Sequence, residues 1–274
     1  MSQHFSRGSS PVDWCEENYS YSPLIAEFFN TVSNALFLVM PPFLMHLHKP
    51  YSYSMGPGIQ VIWVLLIVVG ASSAYFHATL SLLGQLLDEV AILWVVMAGF
   101  AMWFPKAAMP PQVKDKRGRR TFINMVIVLT ILSTSLGFLQ PAFNAFFLMT
   151  LGVPSICMLM YNLRKEPDNR TRSLGRRCIL LWVFAVACWV NDRLLCDAWT
   201  SMGFPYLHGF WHVLIFLAAY TGVVLFAYFD VKNHNPYETP EIRYWPVNTF
   251  ELGVPYVELK SFRYMKDGQK SHHL

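Results

Sequence analysis

The chain has 274 residues, of which 54% are hydrophobic and only 14% charged, with a formal net charge of +4. Ordinary globular domains carry about 25% charged residues, so the composition excludes a typical soluble domain. Five cysteines over this length do not make a disulfide scaffold, and the small positive excess has meaning only once its position is known.

Residues 1–12 contain no apolar core of the kind a signal peptide needs, so the first long apolar run is read as an uncleaved span. A helix needs ~20 mostly apolar residues to cross the hydrocarbon core. Seven stretches meet that demand: 24–47, 59–80, 86–103, 122–139, 143–163, 179–195 and 208–229. A turn-like segment around Gln140 and Pro141 divides the fourth from the fifth, and their combined length fits two passes. No internal repeat suggests an inverted-repeat transporter. The expected fold is an all-α membrane protein, a seven-transmembrane-helix bundle over 24–230. A luminal acidic segment (1–23) precedes it and a cytosolic tail (231–274) follows.

The charges decide the orientation. With seven spans, the loop after the third holds Lys106, Lys114, Lys116, Arg117, Arg119 and Arg120. The loop after the fifth holds Arg164, Lys165, Arg170, Arg172, Arg176 and Arg177. Lys49 and six basic residues of the tail (Lys232, Arg243, Lys260, Arg263, Lys266, Lys270) bring the total on that side to nineteen. Arg7 stands alone on the other side, and Arg193 lies inside the sixth span. Positive charge marks the cytoplasmic side, so the N-terminus is expected in the lumen and the C-terminus in the cytosol. The basic loops read as topology signals facing anionic lipid rather than as a nucleic-acid surface. The tail after Asp230, rich in Pro and Tyr, either packs against the bundle or stays mobile.

Ionisable residues inside spans are costly and suggest function by default. His4, His234, His272 and His273 fall in the tails, and His46 and His48 at the cytosolic end of the first span. His77, His208 and His212 remain, all near the luminal ends of their helices, the last two four residues apart and so on one face. Three imidazoles at one depth suit a catalytic zinc with an open fourth position. Hydrogen-bonded packing histidines are the plainer alternative. Asp88 opens the third span at the same end, placed to accept a proton. Ser73 precedes His77 by one turn, able to donate to an oxyanion or simply to cap a backbone carbonyl. Together they would complete a metal-assisted hydrolase.

Asp13, Glu16, Glu17 and Asn18 precede the first span, and Glu27 lies within it. Hard oxygen ligands suit calcium, but on residues alone a solvated acidic segment is the preferred reading. Glu27, Asn30 and Asn34 form a polar stripe at helical spacing, compatible with packing alone. Cys15 and Cys196 are both luminal, where an oxidising compartment permits a bridge. Cys157, Cys178 and Cys188 sit in or beside spans. Asp192 and Arg193 either pair or bind loops at the luminal surface, and no chemistry is assigned to them.

The blocks Asp13-Trp14-Cys15-Glu16-Glu17-Asn18-Tyr19 and Ala26-Glu27-Phe28-Phe29-Asn30-Thr31-Val32-Ser33-Asn34 resemble the opening of the alkaline ceramidases. Tyr75-Phe76-His77-Ala78-Thr79-Leu80, Gln85-Leu86-Leu87-Asp88-Glu89 and His208-Gly209-Phe210-Trp211-His212 match the family's remaining blocks in order. That family is similar to the adiponectin and progestin receptors in its seven-helix architecture with an intramembrane zinc site. The resemblance implies zinc on His77, His208 and His212, with Asp88 and Ser73 catalytic. It also implies calcium at Asp13, Trp14, Glu16, Asn18 and Glu27, with Trp14 and Asn18 giving backbone carbonyls. Cys15 and Cys196 match the family's paired cysteines. The implied reaction is hydrolysis of ceramide to sphingosine and a free fatty acid, stimulated by calcium. Phe204-Pro205-Tyr206-Leu207 and Leu217-Ala218-Ala219-Tyr220 look closer to the Golgi type. Arg243-Tyr244-Trp245-Pro246 looks closer to the endoplasmic-reticulum type. A seven-helix lipid receptor is the runner-up, and a non-catalytic transporter comes third.

Overall fold

The computed structural model describes residues 2–104, 116–139 and 142–261. Lys106, Lys114, Gln140, Pro141, Arg263, Lys266 and Lys270, used above to count spans and place charge, lie outside them. The molecule is mostly helical: α1 (Phe28–Val32), α2 (Ala35–Leu47), α3 (Lys49–Met55), α4 (Gly58–Thr79), α5 (Leu82–Trp103), α6 (Lys116–Leu139), α7 (Ala142–Arg164), α8 (Asn169–Leu194), α9 (Cys196–Ser201) and α10 (Leu207–His234). Among the described residues, six helical stretches are long and apolar enough to cross a membrane: Phe28–Leu47, Gly58–Thr79, Leu82–Trp103, Arg117–Leu139, Asn169–Leu194 and Leu207–His234. The fourth and fifth expected spans begin as separate helices, α6 and α7, the latter carrying Pro154 in its interior.

The apolar runs locate the helices but underestimate their ends. Helix α8 starts at Asn169, well ahead of the expected 179, because Asp168 caps it: its carboxylate accepts the amides of Arg170 at 3.4 Å and Thr171 at 2.8 Å. The charged first turns of α8 are therefore helical without being apolar. Helix α10 likewise runs on to His234, where Lys232 and His234 occupy its last turn and complement the helix dipole. Lys232 also pairs with the buried Glu166 at 2.8 Å. The first span is shorter than expected and broken, with Ser33 and Asn34 separating α1 from α2.

Residues before α1 are held instead by the end of α4. Leu80 adopts φ 47° and ψ 35°, stopping that helix in the left-handed region. The carbonyls around the stop would otherwise be orphaned. Those of His77, Ala78, Thr79 and Leu80 accept the amides of Glu27 (3.0 Å), Ala26 (3.1 Å), Gly8 (3.0 Å) and Ser10 (2.9 Å). The N-terminal segment is thereby laid across the tip of α4.

The main core gathers side chains of α2, α3, α4, α5, α7, α8 and α10, including Phe37, Tyr51, Trp63, Trp103, Leu159, Leu174 and Phe216. Gly70 of α4 lets α2 approach closely, since a Cβ there would stand 2.4 Å from the Cβ of Phe37. The expected all-α class needs one correction. The tail forms an antiparallel pair, β1 (Pro240–Trp245) with β2 (Val254–Leu259), in the register Ile242 to Val257. Ile242, Tyr244, Val257 and Leu259 alternate inward onto the bundle, the period-two pattern of a strand with one buried face. Arg177 donates to the Tyr244 hydroxyl at 2.5 Å and to the Glu251 carbonyl at 2.5 Å. Arg170 lies 4.8 Å over the Tyr244 ring. Of the two readings of the tail, packing is the one observed for these residues.

Candidate metal centre

His77 sits in the last turn of α4, and His208 and His212 in the first turns of α10. All three are buried, and their candidate ligand atoms lie within 4.8 Å of one another. Their ring centroids are 5.0 Å (His77 to His208), 4.8 Å (His77 to His212) and 4.6 Å (His208 to His212) apart. The three histidines singled out in the sequence thus form one group able to hold a metal ion.

The hydrogen bonds around them decide how the rings face. Glu27 Oε2 lies 2.5 Å from His77 Nδ1, and a carboxylate there favours a proton on Nδ1. His77 Nε2 is left buried without a partner, as is Nδ1 of His208. Buried ring nitrogens are ordinarily satisfied, so two orphans in one group fit a missing electrophile. Nitrogen donors of this kind suit zinc and related transition metals better than hard cations.

Ser73 of α4 and Asp88 of α5 are near enough to interact electrostatically, and Asp88 Oδ1 is buried without a hydrogen-bond partner. Both were expected to act together, and the fold brings the end of α4 and the start of α5 next to one another. The acidic segment is assembled differently from a free loop. Glu16 is buried and accepts the amides of Phe29 at 2.6 Å and Asn30 at 2.8 Å, satisfying the start of α1. Burial pushes the Glu16 carboxyl upward, against the pull of those two amides. Glu27 Oε1 accepts the amide of Trp14 at 3.1 Å. The Asn18 amide reaches both oxygens of Asp13 at 3.2 Å, leaving Asn18 Oδ1 buried and unpartnered. The Trp14 ring stacks on His208, with centroids 3.7 Å apart and planes at 19°. Its side chain therefore meets the site, a contact the sequence did not reveal.

Cys15 and Cys196 are joined in a disulfide with Cα atoms 5.4 Å apart. Next to it stands Asp192, to which the sequence assigned no chemistry. Its buried carboxylate accepts the amide of Cys15 at 3.1 Å and the amide of His208 at 3.2 Å. His208 is in the first turn of α10, where amides lack helical partners and negative charge is favoured. An acid inside an apolar span was the available signal, but its two amide partners come from distant parts of the chain. Arg193 donates to the Asp13 carbonyl at 3.2 Å, so both residues bind loops rather than each other.

Removing the Asp192 carboxylate should therefore loosen the acidic segment and the start of α10 together. Hydrogen bonds to charged groups contribute about 1.5–3 kcal/mol each. Asp192→Ala should lower thermal stability in detergent by an amount corresponding to roughly 3 kcal/mol, with the disulfide intact. A melting temperature equal to wild type would show that the carboxylate ties nothing.

Comparisons with known proteins show the family. A family model described as Ceramidase matches residues 6–258. The chain is 53% identical to "Alkaline ceramidase" of Drosophila melanogaster, over 94% of this chain and 91% of that one. It is 41% identical to "Alkaline ceramidase 1" of Homo sapiens, over 95% and 98% of the two chains. With "Alkaline ceramidase" of Caenorhabditis elegans the identity is 34%, over 90% and 92%. The chain belongs to the Ceramidase family.

Proposed function

We propose that this chain is a zinc-dependent amidase that hydrolyses the N-acyl bond of ceramide to sphingosine and a free fatty acid. The observation that carries the reading is the buried group of His77, His208 and His212 in a chain of this family. The receptor alternative has no feature in its favour once relatives named as ceramidases align over nearly the whole chain.

His77, His208 and His212 would hold the zinc, and Glu27 would orient His77. When bound, zinc supplies a Lewis acid that polarises a carbonyl and acidifies water. Asp88 takes the proton of the attacking water as oxygen bonds to the acyl carbon. Ser73 donates its hydroxyl to the carbonyl oxygen as charge develops there. Asp88 then returns the proton to the amide nitrogen as the C–N bond breaks, releasing the amine and the acid. The apolar helices around the site accept the acyl and sphingoid chains.

The same proposal gives the molecule seven spans, with α7 as the fifth, residues 1–23 in the lumen of the endoplasmic reticulum or Golgi, 24–230 in the membrane and 231–274 in the cytosol. Basic residues at one end and a disulfide at the other support it. Calcium at Asp13, Glu16, Asn18 and Glu27, with carbonyls of Trp14 and Asn18, is proposed to stiffen the acidic segment. The resemblance of the Asp13–Asn18 block and of Glu27 to the alkaline ceramidases is what supports it.

Three measurements test this reading. Alanine at His77, His208 or His212 should abolish ceramide hydrolysis and strip zinc, whereas Asp88→Asn should keep zinc and lose roughly 100-fold or more in turnover. Full zinc in the triple histidine variant would overturn the ligand assignment. Calcium should raise the melting temperature of wild type by mass action, and Glu27→Ala should blunt that rise; no calcium response in wild type would remove the cation. Tags at Ser2 and Leu274 should differ in access after selective plasma-membrane permeabilisation, and equal access from the cytosol would sink the odd span count.

A further inference from the structure

Ser33 lies at the break between α1 and α2, facing α10. Its hydroxyl is 2.7 Å from His212 Nδ1 and 3.0 Å from the carbonyl of Asn30. The Asn34 side-chain nitrogen also reaches both, at 3.4 Å from the ring nitrogen and 2.9 Å from the carbonyl. A hydroxyl has one hydrogen to give, and a carbonyl can only accept. Donating to Asn30, Ser33 meets His212 with a lone pair and accepts from Nδ1–H. Asn34 offers a hydrogen instead, but at a longer distance, so the shorter hydroxyl contact sets the tautomer.

With the proton on Nδ1, the lone pair of His212 is on Nε2. His77 is arranged in the same sense by Glu27, its orphaned Nε2 being the free donor. We propose that Ser33 is a positioning residue that fixes the tautomer and ring orientation of His212 for metal binding. It does for the α10 ligand what Glu27 does for the α4 ligand. The interruption at Ser33 and Asn34 presents both polar side chains to one ring.

The inference rests on the metal-site reading, so its test must separate the two. Purified full-length wild type, His77→Ala, Ser33→Ala, Ser33→Thr and Ser33→Val are titrated with a zinc chelator, and retained zinc is measured directly. Threonine and valine have the same shape and differ in the hydroxyl. Outer-shell partners of metal-ligating histidines contribute about 10–100-fold in affinity. Ser33→Val and Ser33→Ala should therefore release zinc at least ~10-fold more readily than wild type, while Ser33→Thr stays close to it. Recovery of the Cys15–Cys196 peptide and a cooperative melt establish folding for each variant. Should valine fail to fold, the alanine and threonine pair decides. Val and Ala variants that hold zinc like wild type, or a Thr variant as weak as Val, would overturn the role of Ser33. Wild type without zinc, or His77→Ala with a full complement, would instead overturn the metal reading, and the Ser33 proposal with it.

Discussion

The structure of the site depends on how the end of α4 is satisfied. A helix that stops inside an apolar bundle leaves carbonyls that neither lipid nor a following turn can serve. Here the chain's own N-terminal segment supplies the amides of Gly8, Ser10, Ala26 and Glu27 to Thr79, Leu80, Ala78 and His77. The pairing of Glu27 with the His77 carbonyl brings its side chain onto the His77 ring. Backbone accounting thus decides which carboxylate meets which imidazole, before any question of metal.

The same accounting links the segment to α10. Cys15 donates its amide to Asp192, and its sulfur is bonded to Cys196, so one residue is held both covalently and by a buried acceptor. Asp192 in turn accepts the amide of His208. The stacking of Trp14 on His208 completes a closed chain of contacts from α4 through the N-terminal segment to α8 and α10. The three histidines come from two helices, yet their relative placement is fixed largely by a stretch that is not helical. Mutations in that stretch at residues such as Cys15, which touches none of the three rings, are expected to act on the site through Asp192 and the disulfide.

Much of this was legible in the sequence because apolar length and intramembrane histidine are both strong signals. Six of the expected spans and the grouping of His77, His208 and His212 follow from apolar length and from position near the same ends of helices. The cysteine bridge matched the family blocks and is present. The missed features share a different origin. Asp192 serves amides of Cys15 and His208, Ser33 serves a ring far along the chain, and the Trp14 ring meets His208. None of these partners stands at a helical or strand period from the residue concerned. Helix ends were misplaced for a related reason: a cap such as Asp168 extends a helix into charged sequence that hydropathy does not register. The strands of the tail alternate over only six residues each, too short a run to stand out beside its Pro and Tyr content.

The position of the site near helix ends follows from the same constraint. A set of ligands drawn from α4 and α10, with Glu27 and Ser33 behind them, needs extended backbone at Glu27. Irregular backbone at mid-membrane depth exposes amides and carbonyls to lipid, which costs several kcal/mol for each unsatisfied group (~2–7 kcal/mol on transfer scales). At the end of α4 the amides of Ala26 and Glu27 find carbonyls that needed a donor anyway, while their own carbonyls accept the amides of Tyr19 and Thr31. The two liabilities, a helix end and an extended strand of polar backbone, cancel each other. A buried histidine group with fixed outer partners can therefore be built at this end of the bundle with little backbone left unpaired. Moving it to the middle of the same helices would remove the N-terminal segment that orients it.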